Sequence, residues 1–263
     1  MATLRYSIFG MNFGDFHPLH QTPEGLAKKV GKAIMDQPAA DIGLCFAPLA
    51  GFTNTIAKLK DDMAGVYEVG DMFFTRTKDL ADGATIDEIR TAIGFFNADC
   101  PILCLHEGRK LTVCHAGYNC LIRRDPKEPD IVKNALEGFT ATKVKVDMFA
   151  GIGPCCWVPE YAEKPEIKNP RLCRYPTLLQ SCIGRTEDVC PSGAGHTSVD
   201  LYKLTSGLLE MYGVPKKSIY MDRRCTCCDR YEKKPVFWSH ARFMADKQEP
   251  NIDGRNFSLA WLE

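Results

Sequence analysis

Asn97-Ala98-Asp99-Cys100-Pro101-Ile102-Leu103 is followed, after a short turn, by Val113-Cys114-His115-Ala116-Gly117. A thiol and an imidazole brought together make a nucleophile with its base or two ligands of a thiophilic metal, because a thiolate forms at neutral pH only beside a proton acceptor or a cation. The spacing brings them together if residues 101–106 and 111–116 are antiparallel strands joined by a two- or four-residue loop at Glu107-Gly108-Arg109-Lys110. Cys100 then lies opposite Gly117, and His115 opposite Ile102. Cys100 and His115 share a face as a diagonal pair, roughly 7 Å apart at Cβ. Gly117, lacking a side chain opposite the thiol, leaves room for a ligand. His106 shares that face but lies about 20 Å along the strand, and is expected to be a solvent-facing histidine beside the turn.

Further candidates are weaker. Gly151-Ile152-Gly153 follows the apolar run 144–150, and its backbone N–H groups could approach a polar ligand. Cys225-Thr226-Cys227-Cys228 holds one CxxC without a second pair at zinc-finger spacing, so no structural zinc is expected there.

The elements that must position these residues can be read in outline. Thr22 before Pro23, with apolar residues at 26, 30, 33 and 34, predicts a capped amphipathic helix. Asp130–Phe139 repeats the pattern, and Ser198 through Gly213 gives a third helix closed by glycine. Short apolar runs at 93–96, 101–106, 111–115, 144–150, 218–221 and 235–239 predict strands. The stretch 157–197 reads as irregular and as a cover for a site. Helices alternating with strands and hairpins imply an α/β fold, a mixed-sheet sandwich with flanking helices, in one domain over 1–263. The 263 residues carry 33 basic and 33 acidic side chains. That balance leaves no footprint for nucleic acid or an anionic membrane, so a small molecule is the expected partner. No run approaches the roughly 18 apolar residues of a membrane span. The N-terminus shows no signal-peptide core, and 13 cysteines, an odd number, point to reduced thiols in a cytoplasmic protein.

Five pieces in order resemble the YfiH family of laccase-domain proteins, also described as multicopper polyphenol oxidoreductases and purine nucleoside phosphorylases. Ala98-Asp99-Cys100-Pro101 with His115-Ala116-Gly117 looks like its ADCxP…HAGW core, and Gly153-Pro154-Cys155 like its GPCI element. Asp200-Leu201 to Gly213-Val214 resembles its DL…GV segment, and Cys225-Thr226 with Phe237–Arg242 its CT…FFSYRR segment. Gly254-Arg255-Asn256-Phe257-Ser258 resembles the closing GR-N-x-S stretch. The resemblance implies an α/β sandwich likened to Cys–His hydrolases, and an enzyme acting on purine nucleosides by phosphorolysis or adenosine deamination. It implies Cys100, His115 and Asp99 as catalytic residues, with Gly117, Gly151, Gly153 and Arg255 around the ligand. The family's metal site is His, Cys, His, binding zinc or copper. Cys100 and His115 match the second and third, whereas Phe52 stands where the first histidine belongs, so metal should be held weakly. Gly70-Asp71 looks like the family's AD element, which implies an insertion within 79–90. The family's HAGWRG reads His115-Ala116-Gly117-Tyr118-Asn119-Cys120, without the arginine that could meet a phosphate. A metal-independent Cys–His hydrolase or amidase and a catalytically degenerate binding protein are the alternatives.

Overall fold

Side-chain alternation in the predicted hairpin divides the protein into layers. The computed structural model describes residues 2–36, 41–123, 125, 127–152, 175–185, 197–222, 224–245 and 252–263. The chain runs through β1 (Leu4–Phe9), α1 (Pro23–Met35), β2 (Leu44–Leu49), β3 (Ile56–Lys58), α2 (Leu59–Asp62), β4 (Met63–Val69) and β5 (Met72–Leu80). Next come β6 (Gly83–Ile86), β7 (Thr91–Asn97), the hairpin strands β8 (Ile102–Glu107) and β9 (Lys110–His115), α3 (Tyr118–Leu121), α4 (Ile131–Ala135) and β10 (Lys145–Phe149). The remainder is α5 (Pro176–Cys182), β11 (Ile183–Arg185), β12 (Thr197–Val199), α6 (Leu201–Met211), β13 (Ile219–Met221), β14 (Arg230–Tyr231), β15 (Lys234–Pro235), α7 (His240–Ala245) and β16 (Asn256–Leu262).

Two six-stranded mixed sheets face each other, ordered β1-β16-β7-β2-β5-β4 and β13-β10-β8-β9-β6-β3. In β8, Ile102 and Cys104 point into the layer between the sheets, where they meet Phe46, Ile93, Phe95 and Phe149. Leu103 and Leu105 point the other way, onto Leu179, Leu204 and Leu208 of α5 and α6. On the outer face of the first sheet, Leu26, Val30 and Ile34 of α1 cover Phe74, Phe257 and Leu259. The order is helix, sheet, sheet, helix, each element burying one apolar face.

The hairpin has the predicted register: Ile102 pairs with His115 and Glu107 with Lys110, across a two-residue turn with Gly108 at φ 63°. The Thr22 side chain accepts the Gly25 N–H and caps α1 where Pro23 marks its first turn. Other expectations are corrected. The helix after Asp130 ends at Ala135, and that near 198 begins only at Leu201, because Asp200 is its cap and Thr197–Val199 pairs with Ile183–Arg185. The stretch 157–197 is therefore not wholly irregular, since α5 and β11 fall within it. Only Lys234-Pro235 is strand in 235–239 and its flank. His106 is buried at 7 % exposure and faces Asp147 at 3.7 Å, because β8 is a central strand covered by its neighbour β10. Cys228 is disulfide-bonded, whereas Cys45, Cys100, Cys104, Cys114, Cys120 and Cys182 are free thiols. Sequence spacing does not disclose which cysteines meet at bonding distance. Among the described residues no helix is long and apolar enough to cross a membrane.

Candidate active site

The imidazole of His115 is held by a carboxylate that the sequence did not single out. Asp82 sits just before β6, which pairs with β9, so its side chain arrives beside the end of β9. His115 Nδ1 lies 3.0 Å from Asp82 Oδ1, and the His115 N–H donates to the Asp82 carbonyl at 2.7 Å. The loop 51–54 wraps the same carboxylate. The N–H of Thr53 donates to Oδ2 at 2.5 Å, and that of Gly51 reaches both oxygens at 3.3 Å. Phe52 and Asn54 adopt left-handed backbones, φ 58° and 63°, which turn successive N–H groups toward one anion. An aromatic residue in that region is strained and must be held. Arg123 donates to the Phe52 carbonyl at 3.0 Å, and the Asn54 amide to the Pro129 carbonyl at 2.8 Å.

The electrostatics follow from these contacts. Burial opposes ionisation of Asp82, but the hydrogen bond and charge of His115 and the backbone donors outweigh it and hold the carboxyl at about 2. Burial likewise disfavours the His115 imidazolium; the Cys100 sulfur and the hydrogen bonds of Asp82, Cys100 and Cys120 prevail and raise it well above the ordinary range. Gly70-Asp71, the expected acidic element, is instead the exposed turn of the β4–β5 hairpin. The interval 79–90 is no simple insertion, since β6 within it supports β9.

Cys100 is half-buried on a pinned turn. Its carbonyl accepts from the Asn97 amide at 3.1 Å, and the same amide reaches the Ala150 carbonyl at 2.8 Å. Asp99, expected to be catalytic, has φ 73° and commits both carboxylate oxygens to residues other than Cys100. Oδ1 accepts from the Thr226 hydroxyl at 2.7 Å and Oδ2 from the Ala241 N–H at 2.6 Å, both buried. Burial pushes its pKa up despite those donors. Asp99 therefore clamps the turn to residues 226 and 241.

Gly117 does not leave a void. A Cβ there would lie 3.0 Å from His115 Cε1, 3.1 Å from Phe52 Cε1 and 3.2 Å from Cys100 Sγ, so the missing side chain lets these three converge. The Phe52 ring stands 5.6 Å from that of His115. Cys120, brought in by α3 immediately after Gly117, is a donor the sequence reading passed over. Oxygen, nitrogen and sulfur atoms of Asp82, His115 and Cys120 lie within 4.8 Å of one another. Burial pushes the Cys120 thiol up to about 11, against the opposing pull of His115. This set fits one thiophilic ion, with Cys120 supplying the donor that Phe52 withholds. It does not fit several copper ions, which call for an imidazole-rich set: the whole chain has six histidines, and one is in the group.

A cavity of about 500 Å³ opens onto the pair, lined by Phe52, Arg76, Cys100, His115, His240 and Arg255 among others. Arg255, expected near the ligand, lines this cavity while pairing with Asp253 at 2.6 Å. Gly151 offers no free donor: its N–H goes to the Tyr202 hydroxyl at 2.9 Å, and a Cβ would meet Pro101 at 2.7 Å. Gly153 lies outside the described residues.

A family model described as multi-copper polyphenol oxidoreductase laccase matches residues 54–263. None of the curated proteins matches. Among solved structures, the hypothetical protein YfiH of Bacillus licheniformis is similar over 95 % of this chain and 85 % of its own, with TM-score 0.64 and 18 % identity. The Neisseria meningitidis protein NMB0706, of the DUF152 family model, covers 97 % and 85 %, with TM-score 0.60 and 17 % identity. YlmD of Geobacillus stearothermophilus covers 99 % and 91 %, with TM-score 0.57 and 18 % identity. These likenesses show the mixed α/β sandwich with its two sheets and flanking helices.

Proposed function

Because the chain belongs to the multi-copper polyphenol oxidoreductase laccase family, the YfiH-like proteins, we propose that it is an enzyme acting on a purine nucleoside, by phosphorolysis or by deamination of adenosine. The observation that carries this reading is the Cys100–His115 pair on the wall of a cavity of about 500 Å³, a size that suits a nucleoside, with Asp82 buried behind His115. Asp82 fixes the orientation of His115 and stabilises its protonated form. His115 then takes or delivers a proton at the reacting atom while Cys100 contacts the substrate beside it. With a zinc or copper ion held instead by His115, Cys120 and Asp82, His115 would be a neutral ligand, and the ion would supply Lewis acidity and an activated water in place of the imidazole's proton transfer. Phe52, 47 % exposed on the cavity wall, offers an apolar face to a purine ring.

Assaying phosphorolysis and deamination of adenosine and inosine, with and without phosphate, tests the reading on the whole chain, His115→Ala and Cys100→Ser, with thermal melting alongside. Turnover by the wild type that both substitutions abolish without unfolding supports it. Equal rates in all three, or none in the wild type, refutes it.

One observation favours a second reading. Phe52 stands against His115, and Asp82, His115 and Cys100 stand in the relation of orienter, base and nucleophile. A metal-independent thiol hydrolase would use Cys100 to attack a carbonyl carbon, with His115 accepting the thiol proton and returning it to the leaving amine. Water would then release the acyl group. Amide or ester hydrolysis that survives chelation and is lost on alkylation of Cys100 would select this reading.

A further inference from the structure

Arg76, on β5, shares the cavity with Cys100 and His115 and has no partner for its charge among the described residues. Its Nε is shielded from solvent without an acceptor, and the guanidinium makes no hydrogen bond or ion pair among the described residues. The contrast with other arginines is sharp. Arg5, Arg90, Arg123, Arg224 and Arg255 each face a carboxylate within 2.9 Å. Burial opposes the Arg76 charge, and among the described residues the Tyr67 phenol is the one titratable group that favours it. A partly desolvated, unpaired guanidinium costs stability, so its position beside a reactive pair calls for an anion that arrives from outside. Of the other basic residues lining the cavity, Arg255 and His240 face the Asp253 carboxylate at 2.6 and 3.1 Å, whereas no carboxylate is among the described lining residues to answer Arg76.

We propose that Arg76 anchors an oxyanion subsite in this cavity, taking a phosphate group through the guanidinium fork while the rest of the substrate lies over Cys100 and His115. This deepens the nucleoside reading: the phosphate is either free inorganic phosphate or the ester group of a nucleotide. Both present the same tetrahedral oxyanion.

The test uses the whole chain and its Arg76→Gln, Arg76→Lys and Arg76→Met variants. Calorimetry and thermal melting are run with inorganic phosphate, adenosine 5′-monophosphate and adenosine, against chloride at matched ionic strength. Wild type is expected to bind phosphate, the monophosphate or both in preference to chloride. Arg76→Gln should weaken that binding about 10- to 100-fold, with Arg76→Lys between the two. Whichever of the two ligands responds to Arg76 identifies the source of the phosphate group. In phosphate-free buffer Arg76→Met should melt at or above the wild type, because an unpaired charge has been removed. Equal phosphate-group affinity in wild type and Arg76→Gln, no binding beyond chloride, or a lower melting temperature for Arg76→Met would overturn the assignment. Phosphate bound through Arg76 without nucleoside turnover would keep the subsite and discard the nucleoside reading. Nucleoside turnover with no Arg76-dependent binding of a phosphate group would do the reverse.

Discussion

Replacing Asp82 by asparagine removes the charge that holds His115 while keeping the shape. Asp82 titrates at about 2 against its ordinary 3.8. That depression of roughly two units, at about 1.4 kcal/mol each, is worth about 2–3 kcal/mol at neutral pH. The carboxylate is fully buried, so solvent screening does not reduce this figure much. The sign follows from linkage. A depressed carboxylate pKa gives stability that is complete above about pH 4 and drains away as the pH falls through about 2. The raised His115 pKa gives stability that is complete below about pH 6.5 and drains only as the pH rises through the higher folded value. Asp82→Asn should therefore lower the free energy of unfolding by about 2–3 kcal/mol near pH 6, measured by urea denaturation, and the gap to wild type should shrink toward pH 2. The His115 pKa, followed by NMR, should fall in the variant. If activity is present, losing the orienting carboxylate should lower turnover by about 10²- to 10⁴-fold. A variant as stable as wild type near pH 6, or a gap that does not change with pH, would show that the carboxylate carries no such linkage.

Alkylation near neutral pH, followed by peptide mapping, should label Cys100 before Cys45, Cys104, Cys114 and Cys120, because Cys100 is part-exposed and burial pushes the other four thiols up. Protection of Cys100 while those four react would rule out the accessible thiol–imidazole pair. Asp99→Ala should cost about 2–5 kcal/mol in urea denaturation, since it strands the buried Thr226 hydroxyl and Ala241 N–H. A loss below about 1 kcal/mol would mean that the clamp is not formed.

The hairpin was legible because turn length and strand parity fix a register, and that register alone brings Cys100 to His115. Helix α1 was legible for a similar reason, since Thr22, Pro23 and the apolar spacing agree. Asp82 was missed because its approach to His115 depends on β6, a four-residue strand, and on the left-handed loop 51–54, where neither Phe52 nor Asn54 signals positive φ. Cys120 was seen only as a departure from a motif; its arrival in the site needs the single turn of α3 after Gly117. Asp99 shows a different limit. The same Asp-Cys-Pro run serves a catalytic carboxylate or a structural clamp, and the sequence does not say which way the side chain turns. Arg76 could have been noticed only by asking which cations lack an acid, a question that requires tertiary contacts.

Strand β16 lies between β1 and β7 in the first sheet, pairing Leu4 with Leu262 on one side and Asn97 with Asn256 on the other. Order of synthesis and order in space are thus opposed. While a ribosome is still making residues before 256, β1 lacks β16, its one neighbour among the described strands, and the Ser258 hydroxyl that steadies the Asn97 amide does not yet exist. A nascent chain can form the hairpin early, from local contacts, yet cannot fix the turn that presents its thiol until the last strand slides into place. A premature stop ahead of 256 would therefore unseat the first strand as well as delete the last, and leave a product in which Cys100 is present but unplaced.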